Sequence, residues 1–257
     1  VTKDCPQEFV TLAHRMADAA GEVIRPLFRQ PIGIIGKEDN SPVTIADRNA
    51  EAVMRDLIES HFPEHGIIGE EHGNIRTDAE YVWVLDPIDG TLSFISGSPT
   101  FGILIALTRK GVPIMGILDQ PISGERWLGA NGRTTLNGRA VNTRSCARLA
   151  DATLFAWGAE LLEGDHGPSF RRLYGAIKRK RFGYDCYAYG LLSLGFVDII
   201  ADCDMKPFDY CALVPIVENA GGRITDWSGH PMTLANPGYV LATGDPALHQ
   251  QALEIMA

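Results

Sequence analysis

Trp83-Val84-Leu85-Asp86-Pro87-Ile88-Asp89-Gly90-Thr91 is the stretch from which the rest of the chain can be read. An apolar strand runs into a carboxylate at Asp86, Pro87 turns the chain, and a second carboxylate follows at Asp89. Gly90 and Thr91 then present N–H groups at the start of a helical turn, a favourable place for an anion such as phosphate. Two carboxylates held this close repel unless a cation lies between them, which suits hard, oxygen-seeking metals such as Mg²⁺. The same residues also read as a turn with solvated Asp side chains, and spacing alone does not choose between the two.

On either side of this stretch the hydrophobic period changes. Upstream, Phe9, Leu12, Ala13, Met16, Ala20, Val23, Ile24 and Leu27 recur at three- and four-residue steps, predicting an amphipathic helix from about Gln7 to Phe28. A second helix is predicted from about Ala46 to Phe62. Gly66–Gly69, Tyr81–Asp86, Gly102–Thr108 and Val112–Leu118 are short apolar runs bounded by Gly, Pro and charge, as strands are. Asn131-Gly132 and Asn137-Gly138 are hairpin-turn signals. Further on, strands are expected at Thr153–Trp157, Val197–Ala201, Arg223–Asp226 and Tyr239–Thr243. Helices are expected at Tyr187–Leu194, at Phe208–Ala220 with a Gly221-Gly222 cap, and at Pro246–Met256. Helices and strands abound without regular alternation, which favours a layered α+β fold over a doubly wound parallel sheet.

Composition bounds the function. The chain has 257 residues and a formal net charge of −9, enough length for a self-sufficient core. The acidic balance argues against a general nucleic-acid or anionic-membrane binder. Five cysteines show no CxxC pair or metal-like spacing and read as small apolar residues of a reducing compartment. No apolar run is long enough to span a bilayer. The chain opens at Val1 without a basic-then-apolar leader. A cytoplasmic enzyme is therefore expected, or an organelle-matrix one if a transit peptide was removed.

Three more acidic segments accompany the first. Ile67-Ile68-Gly69-Glu70-Glu71 ends a strand in carboxylates, Lys206-Pro207-Phe208-Asp209 opens a helix, and Lys37 to Asp47 is a polar loop entering the second helix. Singly these are weak: a pair such as Glu70-Glu71 is more often a helix start or a solvated edge, and Asp209 at a helix N-terminus is first of all a cap.

Taken together and in this order, the segments resemble the inositol monophosphatase family of Mg²⁺-dependent phosphatases. The resemblance covers most of the chain: Asp47, Gly69-Glu70-Glu71, Trp83 to Thr91, and Asp209 followed by Glu218-Asn219-Ala220-Gly221-Gly222. It implies a layered α/β/α/β/α sandwich, a single catalytic unit over 1–257 with packed halves at about 1–145 and 146–257, a homodimer, and a small phosphate monoester as substrate. By the resemblance, Glu70, Asp86 and the carbonyl of Ile88 would hold one metal. Asp86, Asp89 and Asp209 would hold a second, and Glu70 would help a weaker third, giving two to three Mg²⁺ per site. Asp47 and the Thr91 hydroxyl look like the pair that orients and deprotonates the attacking water, and the N–H groups of Gly90 and Thr91 would take phosphate oxygens. Such a site suits in-line attack of a metal-activated water, with catalysis mainly by positioning and charge neutralisation.

Within the family, Asp119-Gln120-Pro121 with Glu125-Arg126-Trp127, Gly183-Tyr184-Asp185-Cys186-Tyr187-Ala188-Tyr189-Gly190, and Lys206-Pro207-Phe208-Asp209-Tyr210 look like the histidinol-phosphate phosphatases. Phe208 stands where that subfamily more often has Tyr. Histidinol phosphate carries an amine and an imidazole, so its pocket should offer carboxylates, and Asp185 and Asp202 are the candidates; for each the competing reading is a structural cap or turn. Inositol monophosphate is the rival substrate, and a non-catalytic metal-binding scaffold the rival class.

Two motifs lead elsewhere. His61-Phe62-Pro63-Glu64-His65 matches an inverted zinc-peptidase pattern, but Pro63 breaks the helix that would align both His. Lys178-Arg179-Lys180-Arg181 is a short basic run without interleaved aromatics, read as a solvated helix end rather than a nucleic-acid contact.

Overall fold

The computed structural model describes residues 4–31, 35–36 and 42–257. Most of the polar loop before the second helix, residues 37–41, therefore lies outside the described residues. Helix α1 (Gln7–Ile24) buries Phe9, Leu12, Ala13, Met16 and Ala20 on the face the periodicity predicts. It gives way to a 3₁₀ turn, Arg25–Leu27, before the expected end at Phe28. The cause is Pro26, which has no N–H to continue the helical ladder. Strands β1 (Ile35–Gly36) and β2 (Pro42–Val43) pair antiparallel, and Thr44 then caps α2 (Ile45–His61).

Strands β3 (Gly66–Gly69), β4 (Asn74–Ile75) and β5 (Tyr81–Asp89) lead into the short helix α3 (Thr91–Ser96). They are followed by β6 (Gly102–Arg109), β7 (Val112–Gln120), β8 (Glu125–Ala130), β9 (Arg133–Leu136) and β10 (Arg139–Val141). These strands make an eight-stranded sheet in the order β10-β9-β8-β7-β6-β5-β3-β4, antiparallel except where β3 runs parallel to β5. The Asn131-Gly132 and Asn137-Gly138 turns have φ of 51° and 74°, and of 48° and 80°, the left-handed pair that a tight two-residue hairpin requires.

The second sheet comprises β11 (Thr153–Ala156), β12 (Arg179–Phe182), β13 (Ile199–Asp202), β14 (Arg223–Thr225) and β15 (Val240–Thr243), ordered β12-β11-β13-β15-β14. Helices α4 (Gly167–Ala176), α5 (Tyr187–Ser193), α6 (Pro207–Tyr210), α7 (Leu213–Asn219) and α8 (Pro246–Met256) complete the chain. Two expectations are corrected here. The basic run is an edge strand, not a helix end: β12 pairs parallel with β11, and Lys180 lies over the Tyr174 ring at 4.1 Å, so charge serves to guard a sheet edge. The single helix expected over Phe208–Ala220 is two helices, α6 and α7. Pro215 cannot donate to the carbonyl of Cys211, and the ladder breaks there. The Gly221-Gly222 ending holds, with Gly222 N–H donating to Val217 O at 3.0 Å and Gly221 N–H to Glu218 O at 3.1 Å, a Schellman closure.

Alternating residues on the strands send their side chains to different cores, as the two-residue strand period requires. Trp83, Leu85, Ile103 and Ile105 pack with α1 and α2. Val84, Leu104, Ala106 and Leu118 pack with α5, α6 and α7 and with Phe155, Ile200, Val240 and Ala242 of the second sheet. Leu154, Ala156, Ile199 and Leu241 face α4 and α8. The layering is therefore α/β/α/β/α, as the resemblance implied. All five cysteines are free, four of them buried. Among the described residues no helix is long and apolar enough to cross a membrane.

Candidate active site

The C-terminal end of β5 organises the centre. Its ladder with β6 runs in register to Asp86↔Leu104, shifts, and resumes at Asp89↔Gly102. In place of a strand ending at Asp86, β5 thus passes through an irregularity at Pro87, which has no N–H for the ladder, and continues to Asp89. Asp86 Oδ1 accepts the Ile88 N–H at 3.0 Å, fixing the bend. From α6, Asp209 is oriented by the Lys206 N–H at 2.6 Å, and Asp89 by the Cys186 N–H at 2.7 Å. Asp86, Asp89 and Asp209 bring carboxylate oxygens within 4.8 Å of one another.

The electrostatics of this triad favour a cation among its oxygens. Burial foremost, then Glu70, Asp89 and Asp209, hold the Asp86 carboxyl well above the usual carboxylate range. Burial, then Asp209 and Asp185, do the same to Asp89. Asp209 is pushed up to about 7, chiefly by burial, with the Lys206 N–H opposing. Several buried carboxyls in mutual repulsion are costly without a counter-charge. An all-oxygen donor set of this kind fits a hard divalent cation. Glu70 follows β3, its N–H donating to Leu85 O at 3.3 Å, and its side chain meets Asp86.

Asp47 sits in the first turn of α2 and is fully buried. Its Oδ2 accepts the N–H and hydroxyl of Thr44 at 2.9 and 2.5 Å. The Thr91 hydroxyl lies 3.4 Å from Asp47 Oδ1 and 3.2 Å from the carbonyl of Ile88. Asp47 is therefore both part of the α2 capping box and a partner of Thr91. Gly90, at φ 85°, precedes α3, whose first-turn N–H groups have no partners within the helix. A Cβ at Gly90 would come within 2.6 Å of the Asp185 carboxyl carbon, so only glycine lets Asp185 pack against this turn.

A cleft of about 210 Å³ adjoins the triad, and its lining includes Asp89, Asp209, Asp185, Asp202, Tyr189 and Trp157. Asp185, at φ 43°, accepts the hydroxyls of Ser93 and Thr100 on Oδ2 at 2.6 and 2.7 Å. Asp202 accepts the Tyr189 hydroxyl at 2.8 Å and the Trp157 N–H at 2.9 Å, and burial pushes its carboxyl up to about 6. Every side chain named in the sequence as a site candidate is thus brought to one region.

Some contributors were not legible in the sequence. Glu51, fully buried, accepts the N–H groups of Glu71 and His72 at 2.7 and 3.1 Å and so holds the loop bearing Glu70. Its position one helical turn after Asp47 was the available signal. Trp157 gave none. Conversely, Asp119, Gln120 and Arg126 serve the β7–β8 hairpin: Arg126 bonds Asp119 at 2.5 Å, and Gln120 Oε1 accepts the N–H groups of Ile122 and Ser123. They do not line the cleft. The two His of the peptidase-like motif part company: buried His65 accepts the Trp83 indole N–H at 3.1 Å, while exposed His61 bonds Arg15.

Comparison with known proteins places this geometry. The model of the inositol monophosphatase family matches residues 6–257. The bifunctional phosphatase IMPL2, chloroplastic, of Arabidopsis thaliana is 48% identical over 96% of this chain and 74% of its own length. A histidinol-phosphatase of Chlorobaculum parvum is 34% identical over 90% of both chains. The solved structure of an inositol monophosphatase from Zymomonas mobilis superimposes with a TM-score of 0.90 at 46% identity, covering 97% of this chain and 98% of that one.

Proposed function

The chain belongs to the inositol monophosphatase family of phosphatases, and on that premise we propose that it hydrolyses histidinol phosphate to histidinol and phosphate in histidine biosynthesis, with Mg²⁺ as the cation. The observation that carries the substrate is the cleft: two carboxylates, Asp185 and Asp202, stand beside the acidic triad, where a cationic leaving group would be welcome and a neutral polyol would gain less. The similarity to the Chlorobaculum parvum histidinol-phosphatase supports it.

In this reading Glu70, Asp86, Asp89, Asp209 and the carbonyl of Ile88 hold the cations. When bound, they neutralise phosphate charge, acidify water and stabilise the leaving oxygen. The N–H groups of Gly90 and Thr91 orient the phosphate. Asp47, oriented by the N–H and hydroxyl of Thr44, polarises the Thr91 hydroxyl, and the pair takes the proton of the attacking water. Asp185, held at Oδ2 by Ser93 and Thr100, and Asp202 receive the ammonium and imidazole of the substrate.

Inositol monophosphate is the second reading, favoured by the similarity to the Zymomonas mobilis enzyme. Phosphate release from histidinol phosphate, inositol monophosphate and a nucleotide monophosphate in Mg²⁺ separates the two. We expect histidinol phosphate to have the highest kcat/KM. Asp185→Asn should raise KM for it about tenfold, the size of one charge-assisted hydrogen bond, and change KM for a neutral phosphate ester much less. Equal losses on both substrates would remove the specificity reading and leave the phosphatase. The same family reading includes a homodimer, which light scattering would check, and a cytoplasmic or organelle-matrix location.

A further inference from the structure

A second group of ligand-type side chains stands apart from the carboxylate triad. His166 lies just before α4, while Cys203 and Asp204 follow β13. Their imidazole nitrogen, thiol and carboxylate atoms lie within 4.8 Å of one another. Cys203 Sγ is 3.6 Å from His166 Nε2 and 3.3 Å from Asp204 Oδ2. In a tetrahedral zinc site, with Zn–S about 2.3 Å and Zn–N or Zn–O about 2.0–2.1 Å, sulfur stands about 3.6 Å from each neighbouring ligand atom. The two separations are therefore close to edges of such a tetrahedron before any ion enters.

His166 and Cys203 are also held in place, while Asp204 is exposed. The His166 ring meets Trp227 edge-on at 6.3 Å and 79°, and Tyr239 at 6.4 Å and 60°, which limits its rotation. Cys203 is buried. One thiolate, one imidazole and one carboxylate form a borderline-soft donor set, unlike the all-oxygen triad. With the thiol proton released to solvent, the two anionic ligands balance a divalent cation. Such a set leaves a tetrahedral ion one open position, and both Cys203 and Asp204 line the cleft.

We infer that His166, Cys203 and Asp204 form a transition-metal site of the Zn²⁺ type at the rim of the cleft, separate from the site proposed for Mg²⁺. It does not depend on which phosphate ester the protein hydrolyses.

The test is a Co²⁺ titration of the full chain in excess Mg²⁺ with a phosphine reductant, read by the thiolate-to-cobalt charge-transfer band in the near ultraviolet. The expected result is a band saturating at one equivalent and displaced by Zn²⁺. Cys203→Ser and His166→Ala should each abolish it or weaken Co²⁺ binding at least about tenfold, while Cys146→Ser and Asp209→Asn leave it. Thermal melts confirm that each variant is folded; if Cys203→Ser is not, His166→Ala decides. No band in the folded wild type overturns the inference. So does a band whose intensity and Co²⁺ affinity are unchanged in Cys203→Ser or in His166→Ala, which would assign the ligands elsewhere, or one lost with Asp209→Asn, which would place the metal at the carboxylate triad.

Discussion

Asp209 illustrates how a single side chain can be a liability to folding and the reason for a site. Its carboxyl, at about 7 in the folded protein against 3.8 for an ordinary Asp, is protonated more readily folded than unfolded. Stability from this source is present at low pH and is lost as pH rises through about 7. In chelator at pH 8, Asp209→Asn should therefore melt above wild type. Saturating Mg²⁺ should raise the wild-type Tm by several degrees and the variant's by much less, because a ligand stabilises only the state that binds it. A wild-type Tm indifferent to Mg²⁺ would contradict the metal reading. His249 works with the opposite sign. It is buried between the Thr225 and Thr243 hydroxyls at 2.8 and 3.1 Å, and burial, aided by Arg223, lowers it from 6.5 to about 4. The unfolded chain takes the proton first, so stability is lost as pH falls from about 6.5 towards 4. Between pH 7 and 5 the loss should be on the order of 2 kcal/mol, measured by urea titration, and should be largely absent in His249→Gln.

Among the elements, α7 decides how the two sheets are joined. It lies directly on the backbone of the first sheet: a Cβ at Gly116 of β7 would stand 1.9 Å from Ala212 O, and one at Gly129 of β8 would stand 2.4 Å from Pro215 and Ile216 backbone atoms. Backbone on the far side cannot yield as a flexible side chain would. Gly129→Ala should cost about 1–3 kcal/mol or more, and since α6 and Asp209 are carried on the same segment, it should lower kcat as well as Tm. Full activity at an unchanged Tm would show that the helix layer moves freely. At this scale the sequence was legible where pattern and local chemistry agreed: the stripe of α1, the Asn-Gly hairpins and the Gly221 closure. It was not legible at β12, where Arg179, Lys180 and Arg181 lack a strand's composition and take strand form only through pairing with β11.

Across the whole molecule, the apolar cores are not divided at the midpoint of the chain. Val84, Leu104 and Leu118 from the first sheet share one core with α5, α7 and the inner face of the second sheet. We propose that the chain unfolds as one unit rather than as two halves at about residue 145. Scanning calorimetry in saturating Mg²⁺ should give a single transition with equal calorimetric and van't Hoff enthalpies; two resolved transitions would restore the halves as domains.

The sequence by itself determined the local chemistry. The order Asp47, Glu70, Asp86, Asp89, Thr91 and Asp209 with its spacing, the turn residues and the strand alternation are properties of neighbours along the chain, and they were enough to indicate the layered fold and the acidic centre. Only the tertiary structure decided which of these meet. Asp209 joins Asp86 and Asp89 because α6 packs under β5, Asp185 reaches the turn at Gly90 because glycine leaves room, and Glu51 supports Glu70 across a helix–loop contact. His166, 37 residues before Cys203 in the chain, meets Cys203 and its neighbour Asp204 at the rim of the cleft for the same reason: distance along the chain carries no information about separation in space until the cores close.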